Sequence, residues 1–161
     1  MKKILFCLFI VLAFGVLSCQ TGPKIEGEVT QQKVNDVLGQ IYNNYRSRLD
    51  MTGAHDYTVV SGDTLSQITR RYYGTLADVG EAGPSNGFYF PLIMLASDSH
   101  IVDPDFIEPG MKLRIPDLKR NLANSTSRRA IKDCLNDVAY VYNRKGQGPT
   151  EAGLKTLANS L

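Results

Sequence analysis

The chain has 161 residues, 43% of them hydrophobic and 21% charged, with 18 Lys and Arg against 16 Asp and Glu for a formal charge of +2. So even a balance lacks the basic footprint that phosphate neutralisation demands, which argues against nucleic acid as a partner.

The first elements in chain order concern export. Met1-Lys-Lys3 is a positive start, Ile4 to Val16 is an almost unbroken apolar run, and Val16-Leu-Ser-Cys19 ends it with a small residue before a cysteine. Residues 1–18 therefore read as a signal peptide, too short for a membrane span of ~20 residues. The ending resembles a bacterial lipobox, and the resemblance implies cleavage before Cys19 and attachment of acyl chains such as palmitate to it. The alternatives are an ordinary secretory signal cut near Ser18 and an uncleaved anchor. Acyl chains contribute ~0.8 kcal/mol per buried methylene, so a multiply acylated Cys19 would hold the protein at a bilayer surface. Gln20 follows, and a non-aspartate there resembles outer-membrane sorting in double-membraned bacteria. The expected location is thus the bacterial cell envelope, lipid-anchored, on the periplasmic face of the outer membrane if there are two membranes. Loss of residues 1–18 removes Lys2 and Lys3 and leaves a neutral mature chain, 16 basic against 16 acidic residues.

Residues 19–29, with Gly22, Pro23 and Gly27, read as a tether. Over 30–50, Val34, Val37, Leu38, Ile41, Tyr42, Tyr45 and Leu49 recur at steps of three and four, which predicts an amphipathic helix running to about Asp50. At 57–60 the period changes to two: Tyr57 and Val59 alternate with Thr58 and Val60, as in a half-buried strand. Gly62 supplies the positive φ of a sharp turn into a helix. Thr64 and Gln67 have capping-box spacing, and Asp63 sets a carboxylate at the helix's positive end. Leu65, Ile68 and Tyr72 then form one apolar face, with Gly74 as the stop. A second short helix is predicted over Pro91–Ala96. Pro109-Gly110 suits a type II turn, after which Leu113 and Ile115 alternate with Lys112 and Arg114 in a closing strand.

The expected fold class is therefore α+β: strand, helix, helix, strand, with antiparallel pairing and both helices on one face, flanked by N- and C-terminal helices. Two separated motifs, Tyr57-Thr-Val-Val-Ser-Gly-Asp-Thr-Leu65 and Ile107-Glu-Pro-Gly-Met-Lys-Leu-Arg-Ile-Pro116, agree in order and spacing, so that residues 57–117 resemble a LysM domain. The longer LysM variety is the nearer match, through Tyr72-Tyr73-Gly74, the run Phe90 to Ile93 and Asp103 to Gly110. The resemblance implies binding of N-acetylglucosamine-containing glycans such as peptidoglycan. Their groove would lie between Gly62, Asp63, Thr64 and Leu65 on one side and Ser97, Ile107, Glu108 and Pro109 on the other. Backbone groups there would bond the acetamido groups while Leu65 and Ile107 touch their methyls. This chain departs from the family in having Ser97 where Asn is most common, and in a glycine-rich insertion from Thr75 to Tyr89 that either extends the groove or obstructs it.

Residues 118–161 read as a helical segment. Ser127 is predicted to cap a helix bearing Ile131, Cys134, Leu135, Val138, Ala139 and Tyr142; Gly146-Gln-Gly-Pro149 breaks it; Thr150 then caps a last helix with Leu154, Leu157 and Leu161 on one face. The segment holds eight basic and three acidic residues, against four basic and eight acidic from Tyr57 to Asp117. Its charge faces solvent, anionic lipid or wall polymer, or the acidic domain of its own chain. Cys7 lies in the signal and Cys19 is the lipid site, so Cys134 stands alone, without an intramolecular disulfide, and its apolar neighbours at helical spacing place it in a core.

An enzyme is not expected. His55 and His100 have no metal-ligand spacing, Cys134 has no downstream histidine, and Asp103 and Asp105 flank Pro104 in the expected binding edge. The flanks, about 38 and 45 residues, are well below the ~100 of a separate catalytic domain. No cofactor or metal is implied. The sequence thus points to a lipid-anchored, non-catalytic peptidoglycan binder that ties membrane to wall. The alternative is an envelope scaffold whose flanking helices recruit a protein partner or a wall enzyme, with little glycan affinity of its own.

Overall fold

The computed structural model describes residues 22–74, 86–97 and 103–161. The signal peptide, Cys19 and Gln20, most of the Thr75–Tyr89 insertion and His100 lie outside them.

Helix α1 spans Gln31–Tyr45 and buries Val34, Val37, Leu38, Ile41 and Tyr42, the apolar face expected from their spacing. It stops five residues short of Asp50, because Arg46–Arg48 tighten into a 3₁₀ turn. The turn has a purpose in the packing: Arg46 donates from Nε to the Leu95 carbonyl (3.1 Å) and from Nη2 to the Ser97 carbonyl (2.9 Å), setting a cation at the end of a later helix. Upstream, residues 22–29 are docked rather than loose. Ile25 is 2% exposed, and its carbonyl accepts from Tyr140 Oη and Arg144 Nη1.

Strand β1 (His55–Thr58) pairs antiparallel with β2 (Lys112–Ile115), His55 opposite Ile115 and Tyr57 opposite Leu113. Between them lie α2 (Leu65–Tyr73) and α3 (Phe90–Ala96), the latter entered through a 3₁₀ turn at Asn86–Tyr89. The predicted order of strand, helix, helix, strand is the one observed. Leu113 and Ile115 point inward at 1% and 0% exposure, while Asp56 and Arg114 face each other across the outer side, 2.8 Å apart. Tyr72 of α2 lies over His55 and Tyr57, with ring centroids 5.0 and 5.8 Å away, so α2 covers the inner face of β1.

After β2 come α4 (Leu118–Ala123), α5 (Ser125–Arg144) and α6 (Gly148–Ser160). The residue that caps α5 is Asn124, whose Oδ1 accepts from the Thr126 and Ser127 amides; Ser127, predicted as the cap, is buried one turn in and donates to the Arg48 carbonyl. Similarly, α6 begins at Gly148 with Pro149 in its first turn rather than at Thr150, since proline lacks the amide that a helix start leaves unbonded anyway. Gly146, at φ 74°, makes the corner between α5 and α6. The two helices run along each other, α1 packs on α5, and α3 and β2 complete the same core. Asn121 clamps the base of the central block: its amide donates to the Asp50 and Asp117 carbonyls and its oxygen accepts from the Asp50 amide.

Candidate functional site

The β1–α2 loop is built from its own residues. The Asp63 carboxylate accepts from the Val60 amide (3.0 Å) and the Tyr57 hydroxyl (2.6 Å), with Arg71 at 3.5 Å. The bonds from Tyr57 and Val60 hold that carboxyl below the usual carboxylate range. Gly62 takes a φ of 88°, and Thr64 and Gln67 form the reciprocal capping box. The opposing α3–β2 loop closes with a turn in which Gly110 has φ 92° and the Met111 amide donates to the Glu108 carbonyl (3.1 Å), as a Pro-Gly type II turn requires.

A concavity of about 260 Å³ lies between the loops, lined by Asp63, Thr64, Leu65 and Ser66 from the first and Pro104, Asp105 and Ile107 from the second. Phe90 of α3, Tyr142 of α5 and Thr150 of α6 complete its lining. Of the residues expected at a groove, Asp63, Thr64, Leu65 and Ile107 are thus brought together. Gly62, Glu108 and Pro109 are exposed on the same loops, beside the concavity rather than in its lining. Ser97 is elsewhere. It is 1% exposed, its hydroxyl donates to the Ile93 carbonyl (2.6 Å) and accepts from the Arg114 amide (3.0 Å), and so it stitches α3 to β2. Both bonding roles of the hydroxyl are used within the fold, which gives a structural reason for a serine at that position.

Val60 and Phe106 are the large hydrophobic side chains most open to solvent among the described residues, at 56% and 60% exposure. One sits on each loop. Neither was singled out from sequence, since burial of neighbouring residues, not periodicity, is what leaves them uncovered. Tyr142 and Thr150 also escaped, because they come from helices outside the βααβ block.

The second loop is held by charge. Lys145 Nζ lies 3.0 Å from Asp103 Oδ2 and 2.6 Å from Asp105 Oδ2, and Asp105 also accepts from Tyr142 Oη (2.9 Å) and Gln147 Nε2 (3.0 Å). Burial pushes the Asp105 carboxyl up, but the bonds from Lys145, Gln147 and Tyr142 together outweigh it and keep it below the ordinary value. The basic tail therefore meets the acidic domain of its own chain at this point. Cys134 is 1% exposed and burial pushes its thiol up, which suits a core residue rather than a nucleophile. Among the described residues no group of three or more His, Cys, Asp or Glu is placed to hold a metal ion.

The central block is thus a two-stranded antiparallel sheet with two helices inserted between its strands, and a groove between the first strand–helix loop and the helix–strand loop. Residues 57–116 match the family model described as LysM domain. Such a domain points to peptidoglycan or related glycans as ligand. An uncharacterized protein of Deinococcus radiodurans is 38% identical over 65 residues, 40% of this chain and 21% of that protein. An esterase of Mycobacterium tuberculosis is 36% identical over 77 residues, 48% of this chain and 14% of the esterase. The potassium binding protein Kbp of Escherichia coli is 31% identical over 80 residues, 50% of this chain and 46% of that protein. The chain thus matches less than half the length of each of these relatives. No solved structure gives a significant match.

Proposed function

We propose that the protein is a lipid-anchored, non-catalytic binder of peptidoglycan glycans in the bacterial envelope, tying membrane to wall. The observation that carries the glycan part is the groove of the LysM domain, with Leu65 and Ile107 in its lining and exposed Val60 and Phe106 on its two loops. Apolar side chains left in water beside polar backbone suit sugar rings and acetamido methyls. A non-catalytic role is supported by the paired carboxylates of the loop: Asp103 and Asp105 share Lys145, and Asp105 is held ionised, the opposite of the raised value a general acid needs.

The scaffold alternative requires apolar helix faces free for a partner. Instead Val34, Val37, Leu38 and Ile41 of α1, Ile131, Leu135 and Val138 of α5, and Leu154 and Leu157 of α6 are buried in one shared core, which favours the glycan binder. The anchoring part rests on Cys19 and the segment before it.

Sedimentation of the purified protein with insoluble peptidoglycan tests the central claim. Co-pelleting is expected, and recovery wholly in the supernatant refutes it. Release of soluble muropeptides from the pellet would overturn the non-catalytic assignment. For the anchor, labelled palmitate is expected in the wild type and absent from Cys19→Ala; equal labelling of both refutes lipidation at Cys19.

A further inference from the structure

The groove is not the property of the LysM domain alone. Its third wall comes from outside residues 57–116, from Tyr142 near the end of α5 and Thr150 in the first turn of α6. Tyr142 is 1% exposed, its ring stands edge-on to Phe90 at 5.6 Å between centroids, and its hydroxyl is committed to Asp105. Tyr142 therefore backs the wall. Thr150 is only partly buried, and its hydroxyl makes no hydrogen bond among the described residues, so it is the side chain of this wall that can meet a ligand.

The wall is fixed in place. Lys145 and Gln147, in the corner between α5 and α6, bond the loop that carries Ile107 through Asp103 and Asp105, and Gly146 gives the corner its left-handed turn. Behind the corner, α5 and α6 bury Val138, Val141, Leu154 and Leu157 in the common core, which prevents them from swinging aside. The concavity is small, about 260 Å³, just under the ~300 Å³ at which ligand pockets usually begin, so a side chain on its third wall lies within reach of whatever it holds.

We infer that the C-terminal helices are part of the ligand-binding unit, with Thr150 contacting an N-acetylated sugar of the bound glycan and α5–α6 limiting how the chain of sugars enters. This rests on the glycan-binding assignment above. The wall meets the sugar through a hydroxyl and a methyl, a pairing suited to a neutral hydroxylated ring, and it stands beside the Asp105 carboxylate, which disfavours an anionic group at this position.

The test is titration calorimetry of the full chain in mild detergent with a soluble N-acetylglucosamine oligosaccharide, alongside thermal melting. Thr150→Trp, which projects an indole into the concavity, is expected to weaken binding at least tenfold with the melting temperature nearly unchanged. Thr150→Gln, a smaller change, serves if the tryptophan variant does not fold and is expected to cost several-fold. Ile107→Ala reports on the LysM side and is expected to weaken binding as well. If Ile107→Ala weakens binding while both folded Thr150 variants bind within twofold of wild type, the wall is overturned and the LysM groove stands. If the wild type binds neither the oligosaccharide nor peptidoglycan, the glycan assignment fails and the inference falls with it.

Discussion

Replacing Lys145 by Met removes one ammonium and leaves most of its stem. The side chain is 11% exposed and touches Asp103 at 3.0 Å and Asp105 at 2.6 Å. Asp103, 3% exposed, would retain, among the described residues, the Gln31 amide (2.8 Å) and the Asp105 backbone amide (3.0 Å). Removing one partner of a buried pair costs about 3–5 kcal/mol, because an uncompensated charge stays behind. Asp105 is 37% exposed, and its share is discounted to the ~0–1 kcal/mol of a screened surface pair. Contact between Lys145 Nζ and the Tyr142 ring, 4.9 Å from the centroid, adds a cation–π loss of about 0.5–1 kcal/mol. With Gln31 still bonded, the lower part of the range applies, about 3 kcal/mol, or roughly 6–12 °C in Tm at 2–4 °C per kcal/mol. Differential scanning calorimetry at pH 7 reads this directly. The double variant Lys145→Met with Asp103→Asn removes the stranded charge and is expected to recover much of the loss. A single-variant drop under about 2 °C, or a double variant no better than the single, would refute the view that the α3–β2 loop is latched by a buried charge. The pH dependence follows from Asp105, whose folded value is depressed: its contribution is complete above the unfolded value of about 3.9 and is lost as pH falls through the folded one. Lys145→Met is expected to lose less stability across that acid window than wild type.

Three further outcomes are expected. The Tyr42 hydroxyl is buried with no hydrogen-bond partner among the described residues, so Tyr42→Phe is expected to stabilise by about 1 kcal/mol, and a lower Tm would show that the hydroxyl is bonded after all. Burial and then the neighbouring Asp133 raise the Asp137 carboxyl above its ordinary value against the opposing bond from Tyr45, so its charge opposes folding at neutral pH. Folding then favours the protonated form, stability from this group rises as pH falls through the raised value, and Asp137→Asn is expected to raise Tm modestly at pH 7 with the gap closing on acidification; a lower Tm at pH 7 refutes this. Cys134, being buried, is expected to resist a thiol reagent until denaturant is added, and prompt native-state modification would place it at the surface.

What was legible from sequence was local. Thr64 and Gln67 announce a helix start because both halves of the capping box lie within three residues, and Gly110 announces a turn because its own φ is the requirement. Where a long-range partner intervened, local reading failed. Ser127 was expected to cap α5, but its hydroxyl donates to the Arg48 carbonyl, a partner 79 positions distant, and Asn124 is the cap. The six-residue α4 was not read, since a helix that short has too few turns to display a period. At the groove, Asp63 to Leu65 and Ile107 were readable from motif position. Thr150 was not, because only the packing of α5 and α6 brings it to a loop more than forty residues upstream.

The docked segment near Ile25 bears on how a protein held at both ends would carry tension. Arg144 donates to the carbonyls of Ile25 and Gly27, and Tyr140 bonds the Ile25 backbone through both its amide and carbonyl. A pull applied upstream of Gly22 therefore enters the molecule at α5, not along the chain through α1 and the sheet. One residue beyond Arg144, Lys145 grips the loop that borders the groove. In the proposed anchored binder, the path from the docked Ile25 segment to the groove loop would run through Tyr140, Arg144 and Lys145, about one helical turn. It bypasses the two-stranded ladder, whose few hydrogen bonds would otherwise be the first to shear.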